Sequence, residues 1–369
     1  MTILKISAKN FKNLADEVEI DFVPKARKTS EDKEYELNEI ADGLFVFSTM
    51  AFVGKNASGK TTALDLISVA YDIVSAYRVE KPYNLNNVEI CIYFYDKGYI
   101  YKYKTRLLKN PLNNGVVFND ECIWEKQYYK SYVNNIYDDD GFEMSNVQGK
   151  LPEDVSKVFL LEPNRIVRPI LFNEVLDGIT AYDFAFGLKA LLDDGDEILK
   201  KILKIFDENV SDLRRDESGN YVLNYLGKEE KYSVSELYSV LSSGTTKGIA
   251  LYMIIVTSLK AGFPILIDEI ENHFHKTLVE NIISLYKDKT VNRNNAILIF
   301  STHYCEVLDL FNRQDNIYIA NADNKVHLNT IFEKYNFRND ILKSKQFYNN
   351  AFKTAVNYDA LMDLKKALK

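Results

Sequence analysis

The chain has 369 residues, a net charge of −7 and an apolar fraction of 46%. That is room for one large α/β domain with an elaboration, or for two domains, in a chain too acidic to coat nucleic acid without a local basic patch. Cys91, Cys122 and Cys305 stand far apart with no Cys-x-x-Cys, which excludes a zinc hook and gives no disulfide framework. The first residues lack a basic-then-apolar leader and no apolar run reaches a bilayer span, so the expectation is a soluble, cytoplasmic protein without membrane contact.

In chain order, Ile3 to Asn13 opens as a strand and a turn, and Val18 to Phe22 reads as a second strand paired with it. Pro24-Lys25-Ala26-Arg27-Lys28 is a small basic run, read as a solvated loop. Leu44 to Val53 reads as one buried strand, and Thr61 to Tyr77 carries apolar residues at helical spacing. Between them Gly54-Lys55-Asn56-Ala57-Ser58-Gly59-Lys60-Thr61 completes the pattern G-x-x-x-x-G-K-[ST]. Strand, glycine-rich curl and helix in that order form a phosphate cradle. Gly54 and Gly59 permit the curl, while the amides of Asn56, Ala57, Ser58, Gly59 and Lys60 point inward above the positive end of the helix. Lys60 offers a point charge to the β- and γ-phosphates, Thr61 a hydroxyl to magnesium, and Thr62 is the next candidate, for the α-phosphate.

Val88 to Tyr95 and Tyr99 to Leu107 alternate in polarity across Asp96-Lys97-Gly98, a hairpin signal. Val116 to Tyr129 adds an expected strand pair, with Asn113-Asn114-Gly115 as turn, giving a β-layer against which a nucleotide base can lie. Asp138-Asp139-Asp140-Gly141 lacks the alternating ligand spacing of a calcium loop and marks a boundary. Tyr182 to Asn209 reads helical, and Tyr221 to Leu226 with Lys231 to Val234 reads as a hairpin about Gly227-Lys228. No heptad run is long enough for coiled-coil arms.

Leu241-Ser242-Ser243-Gly244-Thr245 precedes an apolar helix, with Ser242 and Ser243 as natural N-caps and an anion site behind them. Phe263 to Ile267 reads as a strand buried on both faces, releasing Asp268 and Glu269 together at its carboxyl end. Asp268 is placed to hold magnesium through water and Glu269 to polarise the attacking water. Ala296 to Phe300 is a further buried strand that ends in Ser301-Thr302-His303. Ile317 to Ala320 is expected to be the last strand, with a helical tail from Tyr335.

This order of phosphate loop, Ser-rich turn, acidic strand and strand-end histidine resembles ABC-type ATPases. The opening Ile3 to Asn13 is similar to the first strand and turn of the SMC/RecF/OLD superfamily. Ser-Ser-Gly-Thr and Asp268-Glu269-Ile270-Glu271-Asn272-x-x-His275 look like the bacterial AbiL/RloA-type ATPases of phage defence. The resemblance implies an α/β fold of P-loop type, mostly parallel sheet with an antiparallel β-layer and a helical insertion. The placing of the motifs along the chain gives an ATPase lobe at 1–137, an insertion at 138–235 that carries no nucleotide motif and is expected to hold a partner or DNA, and a second lobe at 236–369. The resemblance also implies ATP with Mg2+, hydrolysis to ADP and phosphate, and a γ-phosphate contact from His303. Ser242, Ser243 and Gly244 would cap the γ-phosphate held by a partner protomer, so that a homodimer or higher oligomer sandwiches the nucleotides. The implied role is an anti-phage clamp with a separately encoded effector such as a nuclease; the alternative is a RecF-like repair ATPase that binds DNA across the closed dimer. In the family pattern His275 stands at a dimer-contact position, Lys276 replaces a frequent Pro, and His273 is an added imidazole. Gln127 and Gln148 both lie in the interval of the family's Q-loop, and neither sits at a recognisable strand end.

Overall fold

The computed structural model describes residues 1–79, 85–111, 115–163, 170–172, 178–335, 341–352 and 358–368. The chain begins with β1 (Thr2–Lys9) and β2 (Val18–Asp21), antiparallel with Lys5 opposite Asp21. Helix α1 (Ser30–Tyr35) starts with a capping box between Thr29 and Asp32. Then come β3 (Leu37–Ala41), β4 (Leu44–Phe47) and β5 (Thr49–Val53). Helix α2 (Lys60–Tyr71) runs on into a π-turn over Asp72–Ala76. Next are β6 (Val88–Asp96), β7 (Tyr99–Lys109), β8 (Val116–Gln127) and β9 (Glu143–Met144). The middle of the chain holds β10 (Ile170–Phe172), α3 (Gly178–Lys189), α4 (Gly195–Phe206), β11 (Val210–Arg215), β12 (Tyr221–Tyr225) and β13 (Lys228–Tyr232). After it come α5 (Val234–Val240), α6 (Ser243–Ala261), β14 (Ile265–Ile267) and α7 (Lys276–Lys287). The last elements are β15 (Leu298–Thr302), β16 (Ile317–Asp323), β17 (Lys325–Thr330), α8 (Ile331–Lys334), α9 (Lys343–Tyr348) and α10 (Tyr358–Ala367). Contacts divide the chain into two compact units, residues 1–168 with 299–369, and residues 169–298.

The first unit contains the antiparallel layer β2-β1-β6-β7-β8-β9 and the strand run β15-β5-β16-β17. Strand β16 lies parallel to β5 with Tyr318 opposite Phe52, and those two rings stack at 5.0 Å. The β6–β7 hairpin turns at Lys97 (φ 47) and Gly98 (φ 86), the paired positive dihedrals that match the twist of its strands. A buried charge cluster ties α1 to the segment before β16. Arg313 is 4% exposed, with Nη1 2.8 Å from Asp32 Oδ2, Nη2 2.6 Å from Asp315 Oδ2, and further bonds to the carbonyls of Ala26 and Arg27. Glu36, fully buried, accepts from the backbone of Asn312 at 2.6 Å.

The second unit holds the parallel pair β10-β14 and the three-stranded sheet β11-β12-β13. Helix α6 is its spine. Tyr182 of α3 shares a 2.7 Å hydrogen bond with Thr246, and Phe206, Tyr252 and Phe274 form an aromatic cluster with centroids 5.5 to 6.3 Å apart. No single helix among the described residues is long and apolar enough to cross a membrane.

Several expectations change. Leu44 to Val53 is two strands, not one: β4 pairs with β3, β5 joins the parallel run, and Ser48 sits between them. The buried Ser48 donates through both N and Oγ to Glu36 O at 2.9 and 3.1 Å. Both halves are buried, so hydrophobicity gives no sign of the break. In place of the strand pair expected over Val116 to Tyr129 there is one long strand, Val116–Gln127, paired with β7. Its polar stretch at Asn119-Asp120 is a bulge, with Asp120 at φ 52. The turn expected at Asn113-Asn114-Gly115 lies outside the described residues except for Gly115. Tyr182 to Asn209 spans two helices separated at Ala190 to Asp194, and the later hairpin turns at Leu226-Gly227, one residue early. Ile317 to Ala320 is not the last strand; it extends to Asp323 and turns at Asn324 (φ 59) into β17.

The Arg313 cluster yields a stability expectation. Arg313→Leu leaves Asp32 and Asp315 as uncompensated buried carboxylates, which costs about 3–5 kcal/mol. Denaturant unfolding should show a lower midpoint for this variant, whereas Arg214→Leu, an exposed residue paired to Asp212 and Glu229, should shift it by less than about 1 kcal/mol.

Candidate functional site

The first unit carries the phosphate loop between β5 and α2. Lys55, Asn56 and Ala57 are exposed, Ser58 and Lys60 are buried, and Thr61 lies exposed in the first turn of α2. The left-handed positions are Ala57 (φ 60) and Gly59 (φ 96). Gly54 is required for a different reason, since a Cβ there would stand 2.4 Å from Ser58 Oγ and 2.5 Å from Ala320 O. A Cβ on Gly59 would meet Val326 of β17 at 2.4 Å. At Ala57 the left-handed backbone costs about 1–2 kcal/mol in an L-residue, strain that the surrounding curl must hold.

Lys60 folds back under this curl. Its Nζ donates to Gly54 O at 3.1 Å and Lys55 O at 3.2 Å, and lies 3.2 Å from His303 Nε2. The last contact is a hydrogen bond when Nε2 carries no proton. Thus Lys60 and His303, 243 residues apart in sequence, meet at the mouth of one loop. The Ser58 amide is engaged to Lys55 O at 3.2 Å, and Ala63 begins the helix with a bond to Gly59 O at 3.0 Å. Thr62 Oγ1 donates to Asn13 Oδ1 at 3.2 Å, an occupation its reading as an α-phosphate contact did not include. The exposed backbone of residues 55–57, a preset ammonium and a fresh helix N-terminus suit a polyphosphate.

The second unit carries the other motifs. Ser242 is the N-cap of α6: its Oγ accepts from Thr245 N at 3.0 Å, and Ser243 is the first helical residue. Ser242, Ser243 and Gly244 are all exposed. Thr246, one turn in, bonds to Ser242 O and to Tyr182 Oη, which fixes the turn to α3. At the acidic strand β14 is fully buried, Asp268 and Glu269 are half-buried, and Glu269 takes φ 48. Asn272 Nδ2 donates to Glu269 Oε2 at 2.7 Å, and His273 Nε2 lies 3.2 Å from Asp268 O. His275 is the exposed N-cap of α7.

Among the described residues no group of three His, Cys, Asp or Glu side chains could hold a metal ion. Thr61 offers an exposed hydroxyl in the first turn of α2 and Asp268 a half-buried carboxylate after β14, each an oxygen donor of the kind magnesium takes in ones and twos. Residues that sequence reasoning missed include Val326, which closes on Gly59 from a strand too polar to be noticed, and Asn13, which holds Thr62. Gln127 closes β8 and Gln148 lies in irregular structure.

A family model described as "AAA domain, putative AbiEii toxin, Type IV TA system" matches residues 50–309. No curated protein matches the chain. Among solved structures, the chain is similar to the crystal structure of the SmcHead bound to the C-winged helix domain of ScpA, at 14% identity, over 90% of this chain and 99% of that one, with a TM-score of 0.49. It is also similar to the SMC head domain from Thermotoga maritima, at 12% identity, over 89% and 99%, with a TM-score of 0.43.

Lys60→Met retains the aliphatic stem and removes the charge. ATP affinity by calorimetry should fall about ten- to a hundredfold, the worth of one charge-assisted hydrogen bond. The nucleotide-free melting temperature should fall by a few degrees in a variant that still folds, because the carbonyls of Gly54 and Lys55 lose a donor.

Proposed function

The chain belongs to this AAA-domain family, and from that premise we propose that it is an ATP-hydrolysing clamp whose two protomers close on nucleotide. The observation that carries this reading is the Lys60 ammonium, held at 3.1 to 3.2 Å from two loop carbonyls and from His303 Nε2. A cation already placed at the loop has only to exchange one of these acceptors for a phosphate oxygen, and a positioned charge is what electrostatic stabilisation of a transferring phosphoryl group uses.

The roles follow the chemistry of the side chains. The backbone of Gly54, Asn56, Ala57, Ser58 and Gly59 wraps the phosphates, Lys60 bridges the β- and γ-oxygens, and Thr62 stands near the α-phosphate. Magnesium, when bound, neutralises phosphate charge; Thr61 and Asp268 are its proposed ligands, Asp268 through water. Glu269 orients the attacking water, and His303 senses the γ-phosphate through its contact with Lys60. Ser242, Ser243 and Gly244 present the N-terminus of α6 to nucleotide held by a partner protomer. Their exposure and the Ser242 cap support that reading.

The family's description names a toxin–antitoxin setting, and the motif pattern resembles phage-defence ATPases. We therefore assign the clamp to a bacterial anti-phage system in which a separate effector, such as a nuclease, performs the damaging chemistry. The part of the chain between 138 and 235, which contains α3, α4 and the β11-β12-β13 sheet, is the proposed partner-binding insertion.

Glu269→Gln tests the clamp. It keeps size and polarity but removes the charge that orients water, so hydrolysis should slow by about two to four orders of magnitude. ATP should then trap a dimer, visible by light scattering, and a second change, Ser243→Arg, should dissolve it. An unchanged mass with and without ATP, in a variant whose calorimetry shows ATP bound, would count against the sandwich.

A further inference from the structure

The exit of β14 is bent in a way the motif alone does not explain. Glu269 sits at φ 48 and ψ 61, a left-handed conformation that a side chain with a Cβ adopts only where its surroundings hold it there. Behind it the chain makes one tight turn over Ile270–Asn272, rooted by Ile270, which is fully buried. Asn272 grips Glu269 twice. Its backbone N donates to Glu269 O at 2.8 Å, and its side-chain Nδ2 donates to Glu269 Oε2 at 2.7 Å.

These two bonds have different requirements. The backbone bond closes the turn and is open to any residue except proline. The side-chain bond depends on an amide donor at this position and goes to the carboxylate itself. Asn272 is exposed, so its side chain is not needed to fill the core. A glutamate carries several freely rotating bonds, and without a partner its carboxylate samples many orientations. One short bond to a carboxylate oxygen, from a residue already fixed by the turn, restrains that freedom before substrate arrives.

We propose that Asn272 is a positioning residue for hydrolysis, which acts through Glu269 by holding its carboxylate in the orientation that aligns the attacking water. This rests on the reading of Glu269 as the group that orients water. His273 supports the same turn from the other side: its N donates to Ile270 O and its Nε2 lies against Asp268 O, both at 3.2 Å.

The test is a double-mutant cycle on the full chain, with ATP affinity and melting temperature read beside turnover. Asn272→Ala keeps the backbone bond and removes the amide. It should lower kcat about ten- to a hundredfold, as loss of a hydrogen bond to a charged group does, with ATP affinity and melting temperature unchanged. Asn272→Gln, which keeps an amide donor, should recover part of the loss, while the isosteric Asn272→Asp should not. In the Glu269→Gln background, Asn272→Ala should cost little more, because the group it positions is already disabled. The proposal is overturned if Asn272→Ala turns over at the parent rate or faster. It is also overturned if the variant loses melting temperature, or if its deficit multiplies in full onto Glu269→Gln, since either marks a general disturbance of the turn. Parent-level turnover by Glu269→Gln alone would overturn the reading of Glu269 itself, an outcome distinct from the other three.

Discussion

The buried ammonium of Lys60 is the interaction on which the first unit's nucleotide face depends. A charge that is 4% exposed is tolerated only where acceptors surround it, and here the acceptors are the carbonyls of Gly54 and Lys55 together with His303. To bring those carbonyls around the ammonium, the loop must bend left-handed at Ala57 and Gly59 and press Gly54 against Ser58 and Ala320. Those bends in turn leave no room at Gly59 except what Val326 of β17 allows. The glycines permit the curl, the charge fastens it, and the curl limits what can lie above it.

Support for that curl comes from further along the chain. Val326 is tied on both sides to the turn after β1, through bonds from its N to Asn13 O and from Ala15 N to its own O, each 2.8 Å. The same turn supplies Asn13 to Thr62, and Lys12 to Asp65 at 2.5 Å. The Arg313 cluster holds the segment that leads into β16, whose register with β5 sets where the loop begins. The amino-terminal turn, the strand after the loop and a buried ion cluster therefore all act on one eight-residue curl.

The second unit solves a related problem with neutral groups. Ser242 satisfies an orphan amide of α6 and leaves the turn exposed, while Thr246 and Tyr182 anchor it from below. At the end of β14 the backbone is forced into a left-handed step, and an amide side chain fixes the carboxylate that results. In each case a polar side chain fixes a helix or strand terminus at its exposed end, and a buried neighbour roots it.

The sequence by itself determined the chemistry-bearing segments. The glycine spacing around Lys60, the serines before α6 and the apolar run ending in Asp268 and Glu269 are local patterns, and each dictates its own backbone through steric, capping and burial rules that act over a few residues. The hairpin at Lys97-Gly98 was legible for the same reason. Tertiary structure decided what local rules cannot reach. Whether Leu44 to Val53 is one strand or two depends on Glu36 O taking the hydrogen bonds of Ser48, a partner invisible in a run that is apolar on both sides of the break. Strand β17 alternates weakly, with only Val326 and Thr330 buried, so only its contact with Gly59 reveals its purpose. The meeting of His303 with Lys60 and the grip of Asn272 on Glu269 are decided by backbone direction at strand ends. That direction is set by the packing of whole sheets rather than by the residues that use it.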